Sequence, residues 1–439
     1  MPPARPALPA PALRRTAASP LAVVLRSRFH RSALLTLFCS GLATSAAIPQ
    51  LTTFFVTDLG ASLPVAGLYY LTNVTAPVVG FAFGRWSDRR EDRLTLFRFG
   101  AVVGALGWVA MALATQIWMP FVISVLALGV AGAAGAQVYA AARDELRRKP
   151  TPADLQVMST IRMAFTLGWV VGPVVGSVVG AAFGLRVVLL CTAAFAALQL
   201  VPMIGVRAPR YRDPQTDPQP GARPGARQPT GAWRELVPLL VFCALAILAA
   251  SGDTIKFAYL PIYMSQHLGL PAGVRGAVIA LQPVFELVLM PVAARLALRF
   301  GAMRLVLVGI LFGVLANACY ALSTTAVGLL AAQALMAGLW AVLAGLGVTV
   351  AQQLYPSGVG VASSTFLSSM VFASTVGGLL GSAFVETLGI PGVFVVPAVL
   401  CAASLAGMGL LARRLAGAAT ARAGRDLLPG SPDVAPADR

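Results

Sequence analysis

The sequence predicts an all-α membrane protein with twelve transmembrane helices in two pseudo-symmetric six-helix bundles. Hydrophobic residues make up 58% of the 439 residues, whereas charged residues make up only 11%, less than half of the roughly 25% found in soluble domains. The mean hydropathy is +0.80. Apolar runs of about twenty residues, long enough to cross a bilayer, recur along the chain, and one polar, proline-rich segment divides them into two sets of six.

The first set follows a basic, proline-rich N-terminal tail, residues 1–31, and forms the predicted N-terminal bundle, residues 32–206. Charged or polar turns between the apolar runs separate the individual helices. The six predicted spans are 32–56, 64–83, 94–114, 119–142, 158–183 and 187–206.

The second set follows a linker, residues 207–235, whose polar, proline-rich composition predicts little regular structure. The predicted C-terminal bundle is residues 236–411, and a polar C-terminal tail occupies residues 412–439. Its six predicted spans are 236–263, 272–298, 303–322, 326–354, 358–385 and 393–411.

The two halves repeat each other in sequence. Thr166, Gly168 and Gly172 recur 209 positions later, as Thr375, Gly377 and Gly381. A duplicated six-helix unit joined by a polar linker is typical of transporters in which one bundle rocks against the other.

Arginine placement predicts the orientation. The net charge is +17, and most basic residues lie in the tails, the linker and alternate short loops. Because cytoplasmic loops carry excess Lys and Arg, we expect both termini to be cytosolic in a multi-pass protein of the cytoplasmic membrane, with the lipid bilayer as its surroundings. We expect no nucleic-acid partner, because no aromatic-rich polar surface accompanies the charge. The five cysteines are isolated in apolar runs, which predicts no metal site.

A charged turn, residues 84–93 with the sequence GRWSDRREDR, connects the second and third apolar runs. The spacing of Gly84, Asp88, Arg89 and Arg93 resembles the loop between helices 2 and 3 of the major facilitator superfamily of transporters. Asp92 departs from that pattern, because the family usually has a basic residue there. The resemblance implies that helices 2 and 11 meet at the cytosolic face beside this turn.

The fifth apolar run carries small residues at helical spacing, from Gly168 through Gly172 to Gly180, with Pro173 among them. Glycines four residues apart permit close helix contact, and a proline frees a backbone carbonyl. The pattern resembles the helix 5 signature of exporters within this superfamily. The alternative interpretation is ordinary helix packing.

A closer resemblance is to the sugar efflux transporters of the same superfamily. This resemblance implies export of sugars in exchange for protons. The sequence departs from the family pattern at Arg162, Phe165 and Leu260. The resemblance is carried by segments 67–70 (GLYY), 85–88 (RWSD), 142–144 (ARD), 169–173 (WVVGP), 260–263 (LPIY), 268–271 (LGLP) and 285–286 (FE), by Asn73 and Gln137, and more weakly by 344–347 (AGLG).

From these motifs we expect a group of residues to control the conformational change. These are Gly84, Asp88, Arg89, Arg93, Arg143, Arg162, Gly168, Gly172 and Pro173. A second group offers amide or aromatic side chains inside the helices, the mixture that sugar hydroxyls and C–H faces require. These predicted substrate-binding residues are Tyr69, Tyr70, Asn73, Gln137, Gln282, Gln333 and Trp340.

We expect Asn73, Gln137 and Gln282 to line one chamber with Tyr70. The alternative for each amide is a hydrogen bond between helices. A chamber of this kind would suit a sugar better than a lipophilic drug.

Three charged residues inside the helices are predicted to couple transport to protons. Asp253 and Lys256 are three positions apart, so they share a helix face and can pair. Glu286 has no cation within sequence reach, and an isolated carboxyl in a bilayer favours its neutral form. The alternatives are a structural salt bridge for the pair and a permanent hydrogen bond to a helix neighbour for Glu286.

The predicted function is therefore secondary active export of sugars or related small polar molecules by proton antiport with alternating access. The alternative is a multidrug or toxic-metabolite efflux transporter of the same superfamily. An enzyme is not expected, because the sequence has no His-containing catalytic cluster. No cofactor is expected, because a G-x-x-x-x-G-K-[ST] loop for ATP is absent. We expect a monomer.

Overall fold

The computed structural model describes residues 24–75, 78–80, 82, 86, 92–150, 154–208 and 233–426. Across these residues the regular elements are helices, without a β-strand, which confirms the predicted all-α class. Eleven helices within this part of the chain are long and apolar enough to span a membrane. The remaining predicted span, residues 64–83, is described only in part.

Six helices form the N-terminal bundle. Side-chain caps begin two of them: Ser27 Oγ accepts from the His30 amide at 3.3 Å, and Asp92 Oδ1 accepts from the Leu94 amide at 3.0 Å. Such caps satisfy backbone donors that a helix start leaves unpaired. The helices are α1 (Arg28–Thr57), α2 (Leu63–Leu68), α3 (Arg93–Ala112), α4 (Met119–Arg148), α5 (Asp154–Phe183) and α6 (Leu185–Leu198).

Helix α2 departs from the predicted continuous α-helix, because it tightens into a 3₁₀ turn at Tyr69–Val74. Two hydroxyls bond backward to carbonyls within this turn: Thr72 Oγ1 donates to Tyr69 O and Thr75 Oγ1 donates to Thr72 O, each at 2.8 Å. Such side-chain bonds compete with the regular helical ladder. The predicted motif residues Gly84, Asp88 and Arg89, which follow this turn, lie outside the described residues.

The C-terminal bundle repeats the plan. Its first helix, α7, is interrupted at Ser251. Its last helix, α12, continues beyond the predicted end at residue 411, because the alanine-rich sequence that follows favours helix. The helices are α7 (Trp233–Ala250 and Gly252–Ile262), α8 (Ala272–Phe300), α9 (Ala302–Leu322), α10 (Ala326–Leu354), α11 (Val359–Gly392) and α12 (Val395–Asp426).

The helix ends define two faces of the molecule. We call the end that carries the starts of α1, α3 and α5 the arginine face, because Arg93, Arg148 and Arg299 lie there. The end that carries the turns at residues 58–62 and 268–271, and the non-helical residues Gly389 and Ile390 near the end of α11, is the opposite face.

The sequence repeat corresponds to a repeated packing contact. A Cβ atom added at Gly168 on α5 would lie 2.5 Å from the backbone nitrogen of Leu42 on α1. The counterpart Gly377 on α11 packs in the same way against the Ser251 carbonyl of α7. Since a side chain at either position would collide with backbone, glycine permits the same close helix approach in both bundles.

Candidate functional site

The two bundles meet through α2 and α11. The Asn73 amide nitrogen donates to Ser374 Oγ at 2.7 Å, and Ser382 Oγ donates to the Pro64 carbonyl at 2.7 Å. A Cβ atom at Gly378 would lie 3.0 Å from Tyr70 Cβ, so the backbones approach closely. The described contact lies between the middle of the helices and the opposite face, and the predicted contact at the cytosolic end stays a prediction, because that end of the second span is described only in part. The small residues Gly378 and Ser382 allow this approach. Most of the predicted turn, residues 84–93, lies outside the described residues.

A second seam joins α5 and α8, also in the opposite half. Gly276 packs so closely that a Cβ atom there would lie 2.5 Å from Val174 Cα and 2.9 Å from the Pro173 carbonyl oxygen. The Trp169 ring of α5 also contacts the Phe257 ring of α7, with centroids 6.0 Å apart. Pro173 therefore lies at a contact between bundles, whereas Gly168 and Gly172 pack within one bundle against α1.

A cavity of about 1050 Å³ lies in the N-terminal bundle. Its volume is at the upper end of the ~300–1,000 Å³ range of small-molecule pockets. The lining combines aromatic rings, hydroxyls, two amides and two guanidinium groups. The polar and aromatic members include Ser40, Thr44, Tyr69, Tyr70, Thr72, Asn73, Trp108, Ser124, Tyr139, Arg143, Ser159, Arg162 and Gln199.

Three of the seven predicted substrate-binding residues line this cavity: Tyr69, Tyr70 and Asn73. The other four do not. Gln137 and Gln333 are buried between helices, and both amide atoms of Gln333 are without a hydrogen-bond partner in the described part of the chain. The expected single chamber shared by Asn73, Gln137, Gln282 and Tyr70 is therefore not formed, because the rotation of each helix turns two of these amides into the packing. Trp340 also lies outside the cavity lining.

Several lining residues were missed by the sequence reasoning. Along α1 they recur at helical spacing, as Ser40, Thr44, Ile48 and Leu51, and on α4 Tyr139 precedes Arg143 by four residues. Residues spaced three or four apart share one helix face. That periodicity was a usable signal, and it would have found Thr44 and Tyr139.

The C-terminal bundle holds a chain of four polar side chains. Lys256 Nζ, on a residue only 1% exposed, lies 2.5 Å from Asp253 Oδ1, as their spacing predicts. The same ammonium donates to Gln282 Oε1 at 2.5 Å. The Gln282 amide nitrogen in turn donates to Glu286 Oε1 at 2.7 Å.

This network corrects one expectation and extends another. Gln282 was predicted to bind substrate, but both ends of its amide are engaged by Lys256 and Glu286. Glu286 was predicted to have no cation within sequence reach, and in space one side chain, Gln282, separates it from Lys256. The sequence could not show this, because the packing of α7 beside α8 brings the lysine to the glutamine. Lys256 also lies 4.2 Å from the centroid of the Phe257 ring, which adds a cation–π contact.

The predicted gating arginines have different surroundings. Arg93 Nε donates to Asp144 Oδ2 at 2.6 Å, which ties the start of α3 to α4. Arg143 and Arg162 line the cavity near the arginine face. Both have exposed side chains.

Metal ligation has no support in the described ranges, since they contain no group of three or more His, Cys, Asp or Glu side chains placed to hold an ion. The cavity and the charged network offer hydrogen bonding, aromatic contact and charge, which are means of binding a small solute.

Comparison with known proteins agrees with these features. The chain is 29% identical over 84% of its length to a Deinococcus radiodurans protein provisionally named a sugar efflux transporter, covering 94% of that protein. It is 26% identical to sugar efflux transporter A of Dickeya chrysanthemi, over 80% of this chain and 87% of that one. These relatives confirm the resemblance to sugar efflux transporters, and their names are those of transporters rather than enzymes.

The fold also matches solved transporters. The crystal structure of the nucleoside transporter NupG superposes with a TM-score of 0.70 at 15% identity, covering 88% of this chain and 98% of that one. The family model described as Major Facilitator Superfamily matches residues 33–271 and 241–431. The chain is therefore a multi-pass membrane protein that belongs to the Major Facilitator Superfamily.

Proposed function

We propose that this protein exports sugars or related small polar molecules across the cytoplasmic membrane in exchange for protons. The observation that carries the proposal is the chemistry of the cavity, where hydroxyls and the Asn73 amide lie beside the rings of Tyr69, Tyr70 and Trp108. Sugar hydroxyls hydrogen-bond to such groups, and the C–H faces of a sugar ring pack on aromatic rings. The names of the relatives support the same substrate class.

Alternating access is supported by the position of the interbundle contacts. The contacts Ser382–Pro64 and Gly276–Val174 both lie in the opposite half. Arg143 and Arg162, in contrast, line the cavity near the arginine face. We assign the arginine face to the cytosol, since basic residues favour that side. The conformation is then closed to the outside, ready to receive a solute from within the cell.

Proton coupling is assigned to the four-residue network of the C-terminal bundle. It contains two carboxyls and one ammonium, so it is electrically balanced when one carboxyl carries a proton. Asp253 contacts Lys256 directly, whereas Glu286 is linked to Lys256 only through Gln282, so we assign the exchanged proton to Glu286. Loss of that proton creates an uncompensated charge in a low-dielectric interior and favours the state that hydrates it.

The test uses purified protein in proteoliposomes with an imposed pH gradient. A panel of neutral sugars, sugar derivatives and one lipophilic cation is offered, and accumulation is measured. Accumulation of a sugar that collapses when a protonophore removes the gradient is the expected result. Accumulation of the lipophilic cation alone would instead establish the drug-efflux alternative and refute sugars as the transported solutes.

Coupling is tested with Glu286→Gln, which keeps the shape of the side chain and the hydrogen bond from Gln282 but cannot lose a proton. We expect it to abolish gradient-driven accumulation while downhill exchange of labelled sugar continues. The matched control is Glu386→Gln, an exposed carboxyl at the end of α11 near the opposite face, which should accumulate sugar normally. Wild-type accumulation by the Glu286 variant would show that another group carries the proton.

A further inference from the structure

Two arginines in the cavity have no counter-charge among the residues that the structure describes. Arg143 on α4 and Arg162 on α5 line the cavity, and neither makes a hydrogen bond or ion pair to another of the residues that the structure describes. The described lining also contains no aspartate or glutamate. With a rise of 1.5 Å per residue, Arg162 lies roughly 12 Å along α5 from the start of the helix at Asp154.

The two acidic residues that follow Arg143 on α4 already have cations of their own. Asp144 accepts from Arg93 at 2.6 Å. Glu145 lies 2.5 Å from Arg148 and 3.4 Å from Lys149. The carboxylates that follow Arg143 on α4 are therefore committed to other partners.

In the C-terminal bundle, Glu235 in the first turn of α7 accepts from Ser357 Oγ, and the carboxyls deeper in the described helices lie elsewhere. Asp253 and Glu286 belong to the network around Lys256, and Glu386 lies near the end of α11 at the opposite face. Between residues 326 and 374, which cover α10 and the first half of α11, the sequence contains no aspartate or glutamate. Among the described residues, therefore, no carboxylate pairs with the two arginines, and the cavity can offer them to an anionic solute.

We propose that the solute carried in this cavity is an anionic sugar derivative, a sugar phosphate or a sugar acid. Its charged group binds Arg143 and Arg162, while its ring contacts Tyr139 and the hydroxyl of Thr44. Guanidinium groups match phosphate and carboxylate oxygens with paired hydrogen bonds. The inference rests on the proposed function and narrows its substrate class.

Free phosphate and anionic lipid headgroups share the chemistry of the charged group, so the test separates these sources. Purified full-length protein is placed in nanodiscs of phosphatidylcholine, and equilibrium binding of labelled glucose, glucose 6-phosphate, glucuronate and inorganic phosphate is measured. The variants are Arg143→Gln and Arg162→Gln. The control is Arg147→Gln, an exposed arginine of α4 outside the cavity lining, which removes the same charge.

We expect the anionic sugars to bind more tightly than glucose or phosphate. Each cavity variant should weaken their binding by about tenfold or more, the loss expected for a charge-assisted hydrogen bond. Glucose binding should be unchanged, and so should anionic-sugar binding to the Arg147 control. A variant that binds glucose with the affinity of the wild-type protein is thereby shown to be folded.

Four results would overturn the inference. Glucose that binds as tightly as its 6-phosphate would leave the proposed function intact and remove the anionic requirement. Inorganic phosphate that binds as tightly as glucose 6-phosphate would show that the arginines bind a bare anion. Displacement of the sugar phosphate by added phosphatidylglycerol would show that they bind a lipid headgroup. Binding of no sugar at all would refute the inference and the proposed function together.

Discussion

An alanine at position 276 is expected to shift the protein away from the conformation seen here. The added Cβ would lie 2.5 Å from Val174 Cα and 2.9 Å from the Pro173 carbonyl oxygen. Both are backbone atoms of α5, so no side-chain rotation can relieve the collision. Optimal carbon–carbon contact is ~3.5–4.0 Å, and α5 and α8 must therefore separate by about 1 Å.

The separation opens the seam between the bundles at the opposite face. Overpacking of this size costs about 1–3 kcal/mol, and each 1.4 kcal/mol changes an equilibrium tenfold. If the other conformation releases this contact, its population relative to the closed form rises by roughly five- to 150-fold. The control is Gly273→Ala on the same helix, where an added Cβ meets nothing within 4 Å.

The assay is modification of a single cysteine by a membrane-impermeant thiol reagent. Thr44→Cys, which replaces a residue of the cavity lining, serves as the reporter after the five native cysteines are replaced. With Gly276→Ala, modification from the opposite face should accelerate relative to the Gly273 control, and modification from the arginine face should slow. Equal rates for the two variants from both sides would refute the assignment of this contact as the closed gate.

Two further predictions concern stability in detergent. Asp144→Ala removes the carboxylate that pairs with the largely buried Arg93, so it should lower the free energy of unfolding by about 3–5 kcal/mol. Adding Arg93→Met to the same protein should restore the melting temperature in full. An unchanged melting temperature in the Asp144→Ala variant alone would contradict a buried ion pair. Gly168→Ala places a Cβ 2.5 Å from the Leu42 nitrogen and should cost about 1–3 kcal/mol, whereas Gly409→Ala, which meets nothing within 4 Å, should cost nothing measurable by thermal unfolding.

The sequence by itself determined the class of fold and the relations that are local along a helix. Long apolar runs must be membrane helices, because the bilayer core leaves backbone groups no other partner. The repeat at Gly168 and Gly377 predicted two related bundles, and both glycines make the same close contact. The pairing of Asp253 with Lys256 followed from a spacing of three, since such residues share a helix face.

Only the tertiary structure decided which side chains meet across helices. Asn73 bonds to Ser374, and Lys256 reaches Glu286 through Gln282, because the packing of whole helices sets their rotation and their neighbours. The same packing placed Tyr70 in the cavity and buried Gln333 away from it. Helical periodicity fixes a residue's place on its own helix but carries no information about what that face touches. The substrate cavity, the charged network and the gate are therefore properties of the assembled bundles.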